Sequence, residues 1–282
     1  MSSISLPIFG QGSQPAEEDG IELEYLQMPQ EMFTYTMPQI STDLNGLDLA
    51  QAKSVLQQLQ LNLAEFPRIC AAIELTQLDA GNRRFIDELI GEGEVSVIYS
   101  GVQSIRIQES VLAGVWRLQK LNAQKQIIED TLEVGIIPQQ LTQLAFNNTS
   151  QQIDTHWTAL PTGVMNAPPL LAELNAKIAN YRPGGEVHTI NLSLLPQTEQ
   201  DLAFLAQRLG NGSVTILSRG YGNCRITATA TQYVWWVQFF NSEDTLILNT
   251  LEVCDIPSVA CASPEDIDDS LGRLQEILKV YL

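Results

Sequence analysis

The chain has 282 residues, of which 44% are hydrophobic and 17% are charged, a composition typical of globular proteins. Its 33 acidic residues outnumber the 15 basic ones, so the formal net charge is −18. This balance argues against nucleic acid as a partner and favours a basic peptide or protein. The apolar runs are too short to cross a bilayer, so no membrane insertion is expected.

The first 47 residues are polar and contain prolines, and Met28-Pro29-Gln30 is echoed by Met37-Pro38-Gln39. Each proline biases the residue before it toward extended backbone, so residues 1–47 are predicted to form an extended or mobile arm. A disordered tail is the alternative that composition favours. The arm lacks the basic and apolar regions of a secretory signal, which predicts a cytoplasmic protein. Side chains suited to docking on a surface occur at Tyr25, Met28, Phe33, Tyr35 and Met37.

A first unit is predicted over residues 48–147. Apolar residues at helical spacing predict a helix over 47–65. Asp79 is placed to cap a second helix over 81–90, which Gly91 ends. The remaining elements are strands, predicted over 68–75, 95–99, 104–109, 114–121 and 125–134.

A second unit, residues 167–282, repeats this order of elements after a linker over 148–166. Its helices are predicted over 167–180 and 198–209, and a last helix over 264–280 begins after Ser263 as the N-cap. Its strands are predicted over 186–194, 213–218, 224–230, 233–240 and 245–253. The predicted fold class is α+β, with two tandem repeats of a helix-strand-helix-antiparallel sheet unit preceded by an extended N-terminal arm.

The two units match without a gap at an offset of 119 residues. Between Gly91 and Pro138, 17 of 48 positions carry the same residue as the position 119 residues later, which we call the counterpart. Solenoid repeats run only about 20–50 residues, so this period indicates two copies of a domain. We expect the units to superpose, with the shared tryptophans Trp116 and Trp235 buried in equivalent places. Positions that differ between the units are the candidates for function.

No pattern of catalytic residues is present. The two histidines, His156 and His188, have no Ser, Cys or Asp partner at a recognisable spacing. Cys254 and Cys261 would need two further ligands to hold a metal, and the glycines near 91 and 210 lack a phosphate-binding pattern. The sequence therefore predicts no catalytic residue, no metal, no organic cofactor and no enzyme activity. The four cysteines, interpreted as reduced and buried thiols, are Cys70, Cys224, Cys254 and Cys261.

The strand predicted over 233–240, in the second unit, differs most from its copy in the first unit. One face carries Trp235, which both units share, and is interpreted as core. The other face carries Trp236 and Phe240, and the counterpart of Trp236 is Arg117. A face that accepts arginine is expected to be partly open, so Trp236 and Phe240 are predicted to form an exposed apolar patch. The alternative is that the second unit buries this face beneath its own helix.

A hairpin tip before that strand adds polar residues that the first unit lacks. Arg219, Tyr221 and Asn223 belong to the second unit alone, whereas its Gly220 and Arg225 are shared. An arginine, a tyrosine and an asparagine on a hairpin tip are suited to binding. An ordinary polar loop is the alternative. The predicted partner-binding residues are Arg219, Tyr221, Asn223, Trp236 and Phe240.

Three segments of the second unit, in this order, resemble the HupH/HyaF family of nickel–iron hydrogenase expression proteins. They are SRGYGNCR at 218–225, VWWVQFFN at 234–241 and LILNTLEV at 246–253, followed by Ile256-Pro257. The resemblance is strongest over 185–282. It implies a role in the maturation of uptake hydrogenases, as a chaperone or scaffold for the iron–sulfur small-subunit precursor, together with other maturation proteins.

The resemblance also implies a client whose chemistry suits this chain. The small-subunit precursor carries a twin-arginine signal peptide, which is a basic segment followed by an apolar one. An acidic protein with an aromatic patch complements both parts. Two other functions stay open at this point: handling or delivery of an iron–sulfur cluster by Cys224, Cys254 and Cys261, and a structural homodimer that uses the Trp236 face.

Overall fold

One continuous antiparallel sheet of ten strands dominates the computed structural model, which describes residues 48–101, 103–220 and 222–281. The predicted arm, residues 1–47, lies outside the described residues. In chain order the strands are β1 Ile73–Glu74, β2 Val95–Ser100, β3 Ser104–Glu109, β4 Val115–Leu121, β5 Ile127–Val134, β6 His188–Asn191, β7 Asn211–Ser218, β8 Asn223–Thr229, β9 Val234–Phe240 and β10 Leu246–Val253. They lie side by side in the order β1-β5-β4-β3-β2-β7-β8-β9-β10-β6.

Six α-helices accompany this sheet within the described residues, so the predicted α+β class is confirmed. They are α1 Ala50–Glu65, α2 Ala80–Ile90, α3 Leu141–Phe146, α4 Ala167–Asn180, α5 Glu199–Leu209 and α6 Pro264–Tyr281. Two short 3-10 helices occupy Leu192–Leu194 and Ser258–Ala260. Across the described ranges, no helix is long and apolar enough to cross a bilayer.

The sheet is continuous because β2 of the first unit pairs with β7 of the second. Val97 and Ile216, which are counterparts, lie opposite each other in the middle of this pairing. Val95 lies opposite Ser218, which is the last residue of β7. Read outward from this junction, the strand order is the same in both directions, with β1 and β6 at the two edges.

One face of the central strands is covered by the segments that follow β5 and β10. Trp116 and Trp235 are fully buried on this face, in one cluster with Leu141 of α3 and Ala260 of the second 3-10 helix. Each indole N–H donates to a backbone carbonyl, Trp116 to Gly135 at 2.8 Å and Trp235 to Asp255 at 3.2 Å. A buried indole N–H needs such an acceptor, and the hydrogen bond fixes the orientation of each buried tryptophan ring.

The opposite face carries the longer helices, and we call it the helical face. Its first-unit end is covered by α1 and α2, with Ile267 and Leu274 of α6 buried among them. Its second-unit end is covered by α4 and α5. Ile153, from the predicted linker, is buried with these two helices and exchanges two hydrogen bonds with the Asn175 side chain. The segment between the units is therefore packed against the second helix pair.

Local capping signals in the sequence are confirmed. The Asp79 side chain accepts hydrogen bonds from the first backbone N–H groups of α2, and Gly91 ends that helix at a φ of 49°. Ser263 Oγ accepts from the N–H of Asp266 at the start of α6. The predicted strand over 68–75 is shorter, Ile73–Glu74, and just before it the Asn62 side chain of α1 donates a hydrogen bond to the Ala71 carbonyl. Helix α3 was not predicted.

Candidate binding surface

Two of the predicted binding residues lie side by side at one end of the sheet. Asn223 begins β8 and pairs with Phe240, which ends β9. Asn223 is exposed and Phe240 is half-buried, with the Arg225 guanidinium 5.5 Å from the centre of its ring. This separation is within the range of a cation–π contact. Arg219 follows β7 at the same end and is half-buried, and its N–H donates to the Glu94 carbonyl at 3.1 Å.

Tyr221 lies outside the described residues, and Trp236 lies apart from the other predicted residues. Trp236 is four residues before Phe240 on β9, roughly 13 Å along the strand. Its ring packs against the core under α4 and α5, and its indole N–H donates to Asn249 Oδ1 at 2.5 Å. This corrects the expectation of an exposed tryptophan. Trp236 is half-buried, and its packing against the core beneath α4 and α5 is closer to the alternative.

Arg117, whose presence suggested an open face, lies in a largely buried ion network. Its side chain is only 17% exposed, and it reaches two carboxylates, Asp130 at 2.7 Å and Asp87 at 2.6 Å. Arg83 also reaches Asp130, at 2.6 Å. Burial acts to raise the pKa of Asp130, and the hydrogen bonds and charge of Arg117 outweigh it, so the pKa lies below its ordinary value. Arginine is accepted on this face because ion partners are present, and not because the face is open.

The second unit replaces this whole network by uncharged residues. Arg117 and Asp130 have Trp236 and Asn249 as counterparts, and these two are bonded to each other as the charged pair is. Leu202 and Ala206 of α5 replace Arg83 and Asp87 of α2. A buried charge is costly unless it is paired, so the positions must change together. The difference between the units at Trp236 is therefore explained by packing.

A group of exposed apolar side chains lies beside the predicted residues and was missed by the sequence reasoning. Leu194 is 81% exposed, and Ile247, next to the partner of Phe240 on β10, is 60% exposed. Leu195 and Met165 are exposed as well. We call these four residues the apolar strip. The alignment of the units gave no signal, because the counterpart of Leu194 is also a leucine, Leu75, and only the structure shows that Leu75 is 1% exposed.

The interpretation of the four cysteines as buried thiols is confirmed for two of them. Cys224 and Cys254 are buried, and Cys261 and Cys70 are half-buried, all four as free cysteines. Burial raises the pKa of Cys224 to about 12 and of Cys261 to about 11, and it raises the pKa of Cys254 also. Thiols with raised pKa stay protonated and make poor metal ligands. Among the residues that the structure describes, no group of three His, Cys, Asp or Glu side chains could hold a metal ion.

Comparison with known proteins decides the family. The C-terminal conserved region of the HupH hydrogenase expression protein matches residues 49–149 and 164–281. The hydrogenase expression/formation protein HoxQ of Cupriavidus necator is 44% identical over 99% of this chain and 98% of its own. The chain belongs to the HupH hydrogenase expression protein family. The hydrogenase expression/formation protein HupH of Rhodobacter capsulatus is 45% identical over the same shares of the two chains.

The similarity extends beyond the segments that first indicated the family. Those segments lie in the second unit, whereas the match to the conserved region includes residues 49–149 and the matches to relatives include the N-terminal residues. A solved structure, the hydrogenase expression protein HupH from Thiobacillus denitrificans, is 30% identical with a TM-score of 0.35, covering 41% of this chain and 94% of that one. The predicted family membership is confirmed.

Proposed function

We propose that this protein is a hydrogenase maturation accessory protein, acting as a chaperone or scaffold for the iron–sulfur small-subunit precursor of a nickel–iron uptake hydrogenase. The observation that carries the proposal is the match, over nearly the full chain, to relatives named hydrogenase expression/formation proteins. The segment to be bound is the twin-arginine signal peptide of the precursor. Binding takes place in the cytoplasm before export, alongside other maturation proteins.

The charge of the chain and the sheet end near Phe240 support this proposal. A net charge of −18 attracts a basic client and raises the rate of encounter. Arg219, Asn223 and Phe240 gather where β7, β8 and β9 meet the hairpin loops. An aromatic ring with polar neighbours is a common anchor in protein interfaces. We propose this sheet end, including Tyr221 by its place in the sequence, as part of the client surface, with Trp236 supporting it from within.

We also propose that the two units are tandem copies of one domain. Both need a glycine at the same place, since a Cβ on Gly93 would lie 2.3 Å from the Ser110 carbonyl oxygen. A Cβ on Gly212, its counterpart, would lie 2.6 Å from the carbonyl oxygen of Thr229, the counterpart of Ser110. No side chain fits at such distances. The pairing of Val97 with its own counterpart at the junction is a further support.

Of the alternatives, neither cluster handling nor a homodimer through Trp236 has a specific observation in its favour. Cluster delivery needs accessible thiolates, and burial raises the pKa of Cys224 and Cys254 instead. The Trp236 ring is half-buried and packs against the core beneath α4 and α5, so only part of it is open to a second copy. Metal analysis tests the first alternative directly: one iron per chain, lost in Cys254→Ser/Cys261→Ser, would favour cluster handling over the proposal.

A pull-down with the small-subunit precursor tests the proposed function. We expect the full chain to retain the precursor and to lose most of it when the signal peptide is removed. Phe240→Ala/Asn223→Ala should weaken retention, on the order of tenfold, because it removes an aromatic anchor and its neighbour. Arg84→Ala on α2, an exposed position in the first unit, is the control. If neither form of the precursor is retained by the full chain, the proposed function is wrong.

A further inference from the structure

The four residues of the apolar strip are joined through the backbone around them. Asn249 donates its N–H to Ser193 Oγ at 2.8 Å, which places Leu194 beside the Ile247 end of β10. On the other side, the Asn166 side chain donates to the Pro196 carbonyl at 2.5 Å, which places Met165 beside Leu195. These two hydrogen bonds therefore bring together the segments that carry the strip: the start of α4, the end of the 3-10 helix and the end of β10 near its hairpin with β9.

The exposure of these side chains is fixed by local structure. Leu194 ends a 3-10 helix whose start is capped by Asn191 Oδ1, which accepts from the Ser193 N–H at 3.0 Å. Ile247 is the extra residue of a bulge in β10, between the pairs of Leu246 and Leu248 with β9. Bulges redirect side chains and recur next to functional sites. Both leucine and isoleucine are thus presented to solvent by ordered backbone.

The first unit does not build this surface. The counterparts of Leu194 and Leu195 are Leu75, which is buried, and Thr76, whose hydroxyl accepts from the Asp130 N–H. Only the bulge isoleucine is repeated, as Ile128 of β5. Leu194 is exposed where its counterpart is buried, so its exposure is not required by the fold that the units share. Clustered exposed apolar side chains of this kind mark interaction sites.

The charge around the strip selects the chemistry of its occupant. Glu243 and Asp244 are exposed in the hairpin loop that leads to Ile247, and Glu199 is exposed just after Leu195. No lysine or arginine occurs in residues 183–207 or 241–272. These two segments carry every strip residue except Met165, and they also carry the three carboxylates. A partner with basic residues is attracted to this surface, and an anionic lipid surface is repelled.

We propose that the apolar strip binds an apolar stretch of polypeptide, with the basic residues next to that stretch lying against Glu243 and Asp244. This inference rests on the proposed function, because it locates the part of the surface that takes the apolar portion of the client. Met165 contributes an adaptable side chain, which suits a surface that accepts apolar stretches of differing sequence.

Fluorescence anisotropy with a labelled synthetic peptide tests the proposal on the full chain. The probe is an arginine pair followed by a leucine–alanine stretch, and a second probe has glutamates in place of the arginines. We expect the first probe to bind and the second to bind roughly tenfold more weakly or worse. Leu194→Ser/Ile247→Ser should weaken binding of the first probe by roughly tenfold or more. Glu243→Lys/Asp244→Lys should weaken it and reduce its dependence on salt.

The matched control is Ile127→Ser/Ile128→Ser, which makes the same kind of change on the first-unit hairpin, where both side chains are about half exposed. It should bind the probe as the parent chain does. Equal binding by Leu194→Ser/Ile247→Ser and the parent overturns the proposal. So does a parent chain that is a dimer in light scattering and becomes a monomer in that variant, since the occupant would then be a second copy.

The pull-down separates failure of this inference from failure of the proposed function. If the parent chain and Leu194→Ser/Ile247→Ser retain the precursor equally, the proposed function stands and the strip is not the site. If the parent chain retains no precursor, the proposed function is wrong. The proposal that the strip binds the client is then wrong as well, even if the synthetic peptide binds.

Discussion

Glu109 shows how one residue makes the two units differ in their response to pH. It is buried at the end of β3, where Oε1 accepts from the Gly114 N–H at 3.2 Å, and its counterpart is Ala228. Burial, with added repulsion from Glu94 and Asp266, raises the pKa of Glu109 from 4.5 to about 7. The folded protein therefore holds this proton at pH values where the unfolded chain has lost it.

The sign of the pH effect follows from linkage. Between pH 4.5 and about 7 the folded state binds more protons at Glu109 than the unfolded state does, so this residue lowers the free energy of unfolding as pH rises. Glu109→Gln should remove that fall. We expect little change at pH 4 and a gain on the order of 2–3 kcal/mol at pH 8, measured by urea unfolding at both pH values. Glu199→Gln on the surface is the control, and parallel pH profiles for Glu109→Gln and the parent would contradict the prediction.

At the scale of elements, each helix pair and its strands form a matched set. In the first unit, α2 and the strands beneath it share the ion network of Asp87, Arg117 and Asp130. In the second unit, α5 and its strands share an uncharged set that includes Trp236 and Asn249. Replacing one residue of a set by its counterpart from the other unit should destabilise the protein. Replacing the whole set should restore most of the stability.

Trp236→Arg tests this coupling. It places a charge where the counterparts of Asp87 and Asp130 are Ala206 and Asn249, so we expect a loss of roughly 3–5 kcal/mol of stability in chemical unfolding. Adding Asn249→Asp and Ala206→Asp supplies the partners that Arg117 has, and most of the loss should be recovered. Trp235→Arg, on the opposite face, should not be rescued by the same two changes. Full stability of Trp236→Arg alone would show that the site is open after all.

At the scale of the whole molecule, helices that are far apart in the sequence pack together. Helix α6 follows the last strand of the second unit, yet it packs on α1 and α2 of the first. Its Arg273 donates to the Val111 carbonyl at 3.1 Å, and Leu274 is fully buried in the same region. The first helix pair therefore depends on a helix that follows the last strand of the second unit.

Leu274→Ala should loosen the first unit, although it lies at the far end of the sequence. We expect a loss of about 2–5 kcal/mol, as for other buried leucines. Hydrogen exchange should rise in α1 and α2 and stay unchanged in α4 and α5. Val280→Ala, at a position that is 74% exposed, should change stability by no more than about 0.5 kcal/mol. A rise in exchange that is equal in both helix pairs would contradict this dependence.

The local elements and the family could be read from the sequence because they depend on neighbouring residues. Helical spacing, the cap at Asp79 and the glycine at 91 act within one or two turns, and the structure has them where they were predicted. The burial of Trp116 and Trp235 also followed from the sequence, since both units keep a large apolar residue there. The three family segments are contiguous runs, and a contiguous run can be recognised without knowledge of the fold.

Contacts between distant residues were decided by the tertiary structure. Nothing local to Arg117 shows that Asp87 and Asp130 surround it, so the sequence suggested an open face where an ion network lies. The joining of β2 to β7, the return of α6 to the first unit and the exposure of Leu194 are equally non-local. Burial and charge pairing depend on which elements pack together, and that is set by the whole chain. The sequence by itself determined most of the elements and the family, and only the packed structure determined which differing positions are core and which are surface.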